Sequence, residues 1–133
     1  MEKELYGRIT VRSARDTERR VGMSSVKYHK LIRDGIPEII FASGRECTVS
    51  VADKEEYIAL LDAKLKEELA EYLESGSMEE LADLTEVIRA VSRARGSSPE
   101  EVEAIRIRKA EERGAFEKRL LLTEVRDRVS KEP

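Results

Sequence analysis

The sequence predicts an all-α fold, an antiparallel helical bundle, and three observations carry that prediction. Apolar residues recur at helical spacing along two long stretches, 53–74 and 77–95. Three successive stretches open on a helix-cap signal and end near a glycine. Charged residues make up 40% of the chain, above the usual quarter, which suits helices with well-solvated outer faces.

Residues 1–25 are polar, Arg-rich and weakly periodic, and are expected to be a flexible extension ahead of a helical domain at 26–129. The last four residues, 130–133, are expected to fray. Within 26–41 a basic turn, Lys30 to Arg33, precedes a short apolar helix. Pro37 fits its first position, which holds Ile36 in extended geometry. Ile36, Ile39 and Ile40 would face the core, and Ser43-Gly44 ends the helix. Residues 46–52 alternate and are β-branched, so one short extended segment is allowed there.

Asp53 then reads as an N-cap, with Glu56 three residues on completing a capping box. That helix stops at Ser75-Gly76-Ser77. Ser77 caps the next, which Gly96 closes in the left-handed conformation glycine favours. Ser98-Pro99-Glu100-Glu101 opens a further helix to about residue 112, broken by Gly114. Residues 116–129 are amphipathic or irregular. Neither an internal repeat nor a low-complexity tract is present.

A chain of 133 residues fits one domain. It has no Trp, two Phe and four Tyr, so any core must be built from Leu, Ile, Val and Ala. Such a core is modest, and a homodimer would help to bury apolar surface. Twenty-five basic against 28 acidic residues give a net charge of −3, which argues against a nucleic-acid polymer as partner. The single Cys47 excludes an intramolecular disulfide, and one Cys with one His cannot build a standard zinc site. No apolar run approaches the ~20 residues of a membrane span. No signal-peptide core precedes the domain, so the expected location is cytoplasmic, away from the membrane.

The acids sit where helices are usually apolar. At 100° per residue, Ile58, Leu61, Leu65, Leu69 and Tyr72 share an arc of roughly 80°. Glu68, Glu71 and Glu67 fan out from one flank of it, roughly 20°, 80° and 120° beyond its edge. On the next helix Leu81, Leu84, Val87, Ile88 and Val91 define the apolar arc, and Glu80 and Asp83 project into it. Carboxylates on a core face are costly unless paired or coordinated. The short connection makes the helices antiparallel neighbours, so the two sets of acids oppose one another. Five hard oxygen donors suit Mg²⁺ or Mn²⁺ rather than Zn²⁺. Two plainer readings stay open. Glu80 serves equally as the capping-box partner of Ser77, and Glu67 and Glu71 as a solvated face paired with Lys64 and Lys66.

Basic groups form a second set. Lys30 and Arg33 precede the first helix, and Lys109 and Arg113 end the last at i, i+4 spacing. Pointing toward the acids, they would bind phosphate oxygens; otherwise the latter two complement a helix dipole. His29 stands alone and is not expected to be catalytic. Cys47 reads as a small apolar filler, and Tyr28 and Phe116 as core packing or as platforms for a base.

Glu67-Glu68-Leu69-Ala70-Glu71 followed by Glu80-Leu81-Ala82-Asp83 resembles the EExxE…ExxD signature of the MazG-like all-α NTP pyrophosphohydrolases. Lys30-Leu31-Ile32-Arg33-Asp34-Gly35-Ile36-Pro37, and Lys109 with Arg113-Gly114-Ala115-Phe116, are similar to stretches of its small phosphoribosyl-ATP pyrophosphohydrolase-like branch. Ala115 departs from that branch, which has a second glycine there, and the two acid motifs are closely spaced. The likeness spans about residues 26–125.

The resemblance implies a house-cleaning hydrolase. It would split a non-canonical or surplus nucleoside triphosphate at the α–β bond into monophosphate and pyrophosphate, using Mg²⁺ with Mn²⁺ as substitute. Glu67, Glu68, Glu71, Glu80 and Asp83 would hold the metal, and Glu68, or else Glu67, would orient the water. Lys30, Arg33, Lys109 and Arg113 would neutralise the phosphates. The alternatives are a phosphoribosyl-ATP pyrophosphohydrolase of histidine synthesis and a non-catalytic helical dimerisation or binding module. The family often dimerises, which again points to a homodimer.

Overall fold

A computed structural model describes residues 8–11 and 24–129. In chain order they form β1 (Arg8–Val11), α1 (Ile36–Ala42), β2 (Cys47–Ser50), α2 (Lys54–Ser75), α3 (Met78–Ala94) and α4 (Pro99–Arg113). The chain is therefore mostly helical, as the all-α expectation requires, with the extended segment in place as β2. β1 pairs with β2 antiparallel, Arg8 opposite Ser50 and Val11 opposite Cys47. β1 falls within the stretch expected to be an extension, whose other residues up to 23 lie outside the described residues, as does the tail 130–133.

Local chemistry sets the helix ends. Asp53 accepts from the Glu56 backbone N–H at 2.8 Å, fixing the start of α2. Gly76 ends it at φ 66°, where its own N–H donates to the Tyr72 carbonyl at 2.7 Å. Ser77 caps α3 by accepting from the Glu80 N–H at 3.3 Å. Glycines at φ 86° (Gly96) and 85° (Gly114) follow α3 and α4. α1 begins one residue earlier than expected. A turn bond from the Ile36 N–H to the Arg33 carbonyl, 3.0 Å, already curls the backbone, so Ile36 is helical rather than extended.

α2 and α3 pack as an antiparallel hairpin, the core of the first of two units, Met1–Pro99. Leu61, 5% exposed, is the buried apolar side chain of the hairpin among the described residues, with Ile58, Leu65, Tyr72, Leu81, Leu84, Val87 and Val91 half-buried. Three expected core positions are corrected. Leu69 is 46% exposed, and Ile88 and Ile39 are also exposed. The contact face of α2 is centred nearer Leu61 than the apolar arc suggests. That rotation carries Leu69 out and Glu68 in, since Glu68 lies only ~20° from Leu61 around the helix. The second unit, Glu100–Pro133, holds the rest of α4 and the irregular segment after it.

Candidate functional site

The α2–α3 hairpin brings together the acids that matter most. One carboxylate oxygen from each of Glu68, Glu80 and Asp83 lies within 4.8 Å of the other two. Glu68 is 93% buried by its 7% residual exposure, and Glu80 and Asp83 are half-buried. Among the described residues Glu68 Oε2 has no hydrogen-bond partner although it is shut off from solvent. A buried, unpartnered carboxylate oxygen is costly, and a cation on it would remove that cost.

Three basic side chains pair with Glu67, Glu68 and Asp83. Lys64 Nζ lies 2.8 Å from Glu67 Oε2 and 3.4 Å from Glu68 Oε1. Lys30 Nζ reaches across from the segment before α1 to Glu67 Oε1 at 3.1 Å. Arg33 Nη2 donates to Asp83 Oδ1 at 2.7 Å. Lys30 and Arg33, expected beside the acids, are thus there. Lys109 and Arg113 lie exposed near the end of α4, in the second unit. Lys64 is the participant that sequence reading passed over as a partner on a solvated face. Its signal was present, i, i+3 and i, i+4 from Glu67 and Glu68.

The electrostatics follow from these contacts. Burial pushes the Glu68 carboxyl above its usual range, the neighbouring Glu71 carboxyl pushes it further, and Lys64 only partly opposes them. Glu67 goes the other way, held below its usual range by the hydrogen bond from Lys64 and, against the effect of burial, by Lys30. Burial would lower the Lys64 ammonium, but Glu67 and Glu68 more than offset this and raise it.

The two plainer readings of the acids can now be separated. Ser77 does accept from the Glu80 backbone, but the Ser77 N–H donates to Ser75 Oγ at 3.2 Å. The Glu80 side chain is therefore not engaged in a reciprocal capping box, and it faces Glu68 and Asp83 instead. Glu67 does pair with Lys64, but on a part-buried face joined by Lys30. Glu71 is exposed, as a solvated face would have it, and stands outside the three-acid cluster, close enough to Glu68 to act on its carboxyl.

Other candidates fall outside the site. His29 is exposed, 3.8 Å from Glu56. Cys47 is half-buried on β2 as a free thiol. Tyr28 and Phe116 do not pack in a core: both are exposed, Phe116 almost completely at 96%, and the Tyr28 ring lies 5.8 Å from the Lys30 ammonium. A groove of about 660 Å³ lined by Lys54, Tyr57, Arg93 and Arg95, among others, lies at the far end of the hairpin from the acids.

No protein-family profile matches the chain, and no solved structure matches it. A stretch of 42 residues is 55% identical to an uncharacterized protein of Mycolicibacterium smegmatis. That stretch is 32% of this chain and 43% of the relative, so the chain spans less than half the length of the relative it matches.

Chemically, the arrangement offers hard oxygen ligands from two adjacent helices, the donor type that magnesium and manganese take. Cationic side chains stand at its edge, the partners a phosphate group takes.

Proposed function

We propose that the chain is a divalent-cation-dependent nucleotide pyrophosphohydrolase. The observation that carries this reading is Glu68 Oε2, buried and unpartnered in a cluster with Glu80 and Asp83. Those three residues fit Mg²⁺ and would hold it. When bound, the ion would polarise phosphate oxygens and favour ionisation of water. Lys30 and Arg33, at the border of the cluster, bind the negatively charged phosphates of a nucleoside triphosphate. A carboxylate of the site, Glu68 or else Glu67, would orient the water and take its proton. Water oxygen bonds to the α-phosphorus, the α–β anhydride bond breaks, and pyrophosphate leaves with the electron pair. The resemblance in the EExxE and ExxD segments supports the same reaction, and the expected assembly is a homodimer.

A nucleotide panel with Mg²⁺ tests the reading. It should hold canonical and altered triphosphates, deoxy forms and phosphoribosyl-ATP, with pyrophosphate as the readout. Pyrophosphate release, with the label from ¹⁸O-water on the monophosphate, is the expected result. Orthophosphate as first product, or no product from any nucleotide, sinks it.

A further inference from the structure

We infer that the acid site takes a single divalent cation, and that Lys30 and Lys64 withhold Glu67 from it. This rests on the metal-dependent reading above and concerns which oxygens remain for a metal. Both Glu67 oxygens are engaged, Oε1 by Lys30 at 3.1 Å and Oε2 by Lys64 at 2.8 Å. Glu68 has Oε1 against Lys64 and Oε2 without a partner. Asp83 has Oδ1 bonded to Arg33, with Oδ2 left over. Each of these two acids therefore keeps one oxygen beyond its basic partner, and Glu80 adds a carboxylate that converges with theirs within 4.8 Å.

Charge leads to the same count. Glu67, Glu68, Glu71, Glu80 and Asp83 carry five negative charges when ionised, and Lys30, Arg33 and Lys64 carry three positive ones. Two negative charges remain, which one divalent ion neutralises. A second ion that drew ligands from Glu67 would displace two ammonium groups, of which Lys64 is mostly buried. A part-buried ammonium stripped of its carboxylates is left uncompensated, a strongly unfavourable outcome. The lysines thus occupy the position that a second cation would otherwise fill.

Manganese titration of the full chain decides the matter without any turnover. Calorimetry should give one Mn²⁺ per chain, and electron paramagnetic resonance the six-line spectrum of an isolated ion. Glu68→Gln should weaken binding by about a hundredfold, the upper end of what even outer-shell changes cost. Glu67→Gln should still bind one ion. Lys30→Met/Lys64→Met, checked for retained helicity, should admit a second ion. Should that double variant not fold, the wild-type count and Glu67→Gln decide alone. Two ions in the wild type, a spin-coupled pair, or loss of binding in Glu67→Gln overturns the single-ion site and leaves the metal-dependent reading standing. A folded double variant that still takes one ion overturns the role of the lysines. No Mn²⁺ bound at all overturns both.

Discussion

Glu68 shows how one side chain comes to be held against its own preference. Its carboxyl is pushed up by burial and by Glu71, so in the metal-free protein ionising it opposes folding. A carboxyl whose folded value is raised contributes stability below the unfolded value, near 4.5, and loses it as pH rises through the folded value. Glu67, lowered by its lysines, has the opposite sign, its contribution present above 4.5 and lost as pH falls below. Metal-free urea melts at several pH values above 4.5 should therefore show wild-type stability declining where Glu68→Gln stays flatter and ends more stable. A Glu68→Gln protein that is less stable at neutral pH would mean that its bond with Lys64 outweighs burial. At this scale the sequence was readable where the chemistry was local. Glu68 at the margin of an apolar arc is visible in helical spacing, as is Glu80 beside a cap. That Lys30 and Arg33 select Glu67 and Asp83 was not readable, because those pairs span 37 and 50 positions and depend on how the segment before α1 lies on the hairpin.

Among the elements, α2 and α3 were the most legible, since Asp53, Gly76, Ser77 and Gly96 mark their ends through backbone bonds made within a few residues. Their rotation was not legible. Leu69 and Glu68 trade places relative to the apolar arc because the partner helix, absent from any periodicity, decides which face is covered. β1 was missed because four residues carry too little alternation to separate a strand from a polar extension, and only its pairing with β2 reveals it. The link between α2 and α3 offers a clean test. Gly76 sits at φ 66° with open space where a side-chain carbon would go, so Gly76→Ala brings backbone strain and no clash. Thermal or urea melts should show a loss of about 1 kcal/mol, the usual cost of a left-handed non-glycine residue. A loss several times larger would mean that the turn is packed from outside.

For the whole molecule, apolar side chains at the surface are the dominant fact. In the first unit Leu73 and Met78 flank the hairpin turn in the open. In the second, Leu120, Leu121 and Leu122 lie exposed in succession, followed by Val125 and Val129. A hairpin with one buried apolar residue among those described gains little from its own interior. Pairing of two copies would cover such surface at roughly 25 cal/mol per Å². Light scattering on the purified chain should accordingly give about twice 15.2 kDa, with the dimer weakened by Leu121→Glu or Leu73→Glu. A mass of one chain at micromolar concentration would exclude the dimer.

The turn at Gly76-Ser77 has a consequence for how the molecule reaches its native state. Glu68, Glu80 and Asp83 all lie on the two helices that this turn joins, so the ends of only one short loop must meet before the three come into register. Loops of this size close on the order of 10–100 ns, far faster than distant strands find each other. The α2–α3 hairpin would then already exist at the folding transition state, as the nucleus on which α1 and the β1–β2 pair condense. A cation that binds there stabilises the barrier top nearly as much as the native state, and so speeds folding more than it slows unfolding. In stopped-flow urea jumps, Mg²⁺ should lift the refolding limb of the chevron and leave the unfolding limb almost where it was. If instead only the unfolding limb falls, the hairpin assembles after the barrier and the site is among the last parts to form.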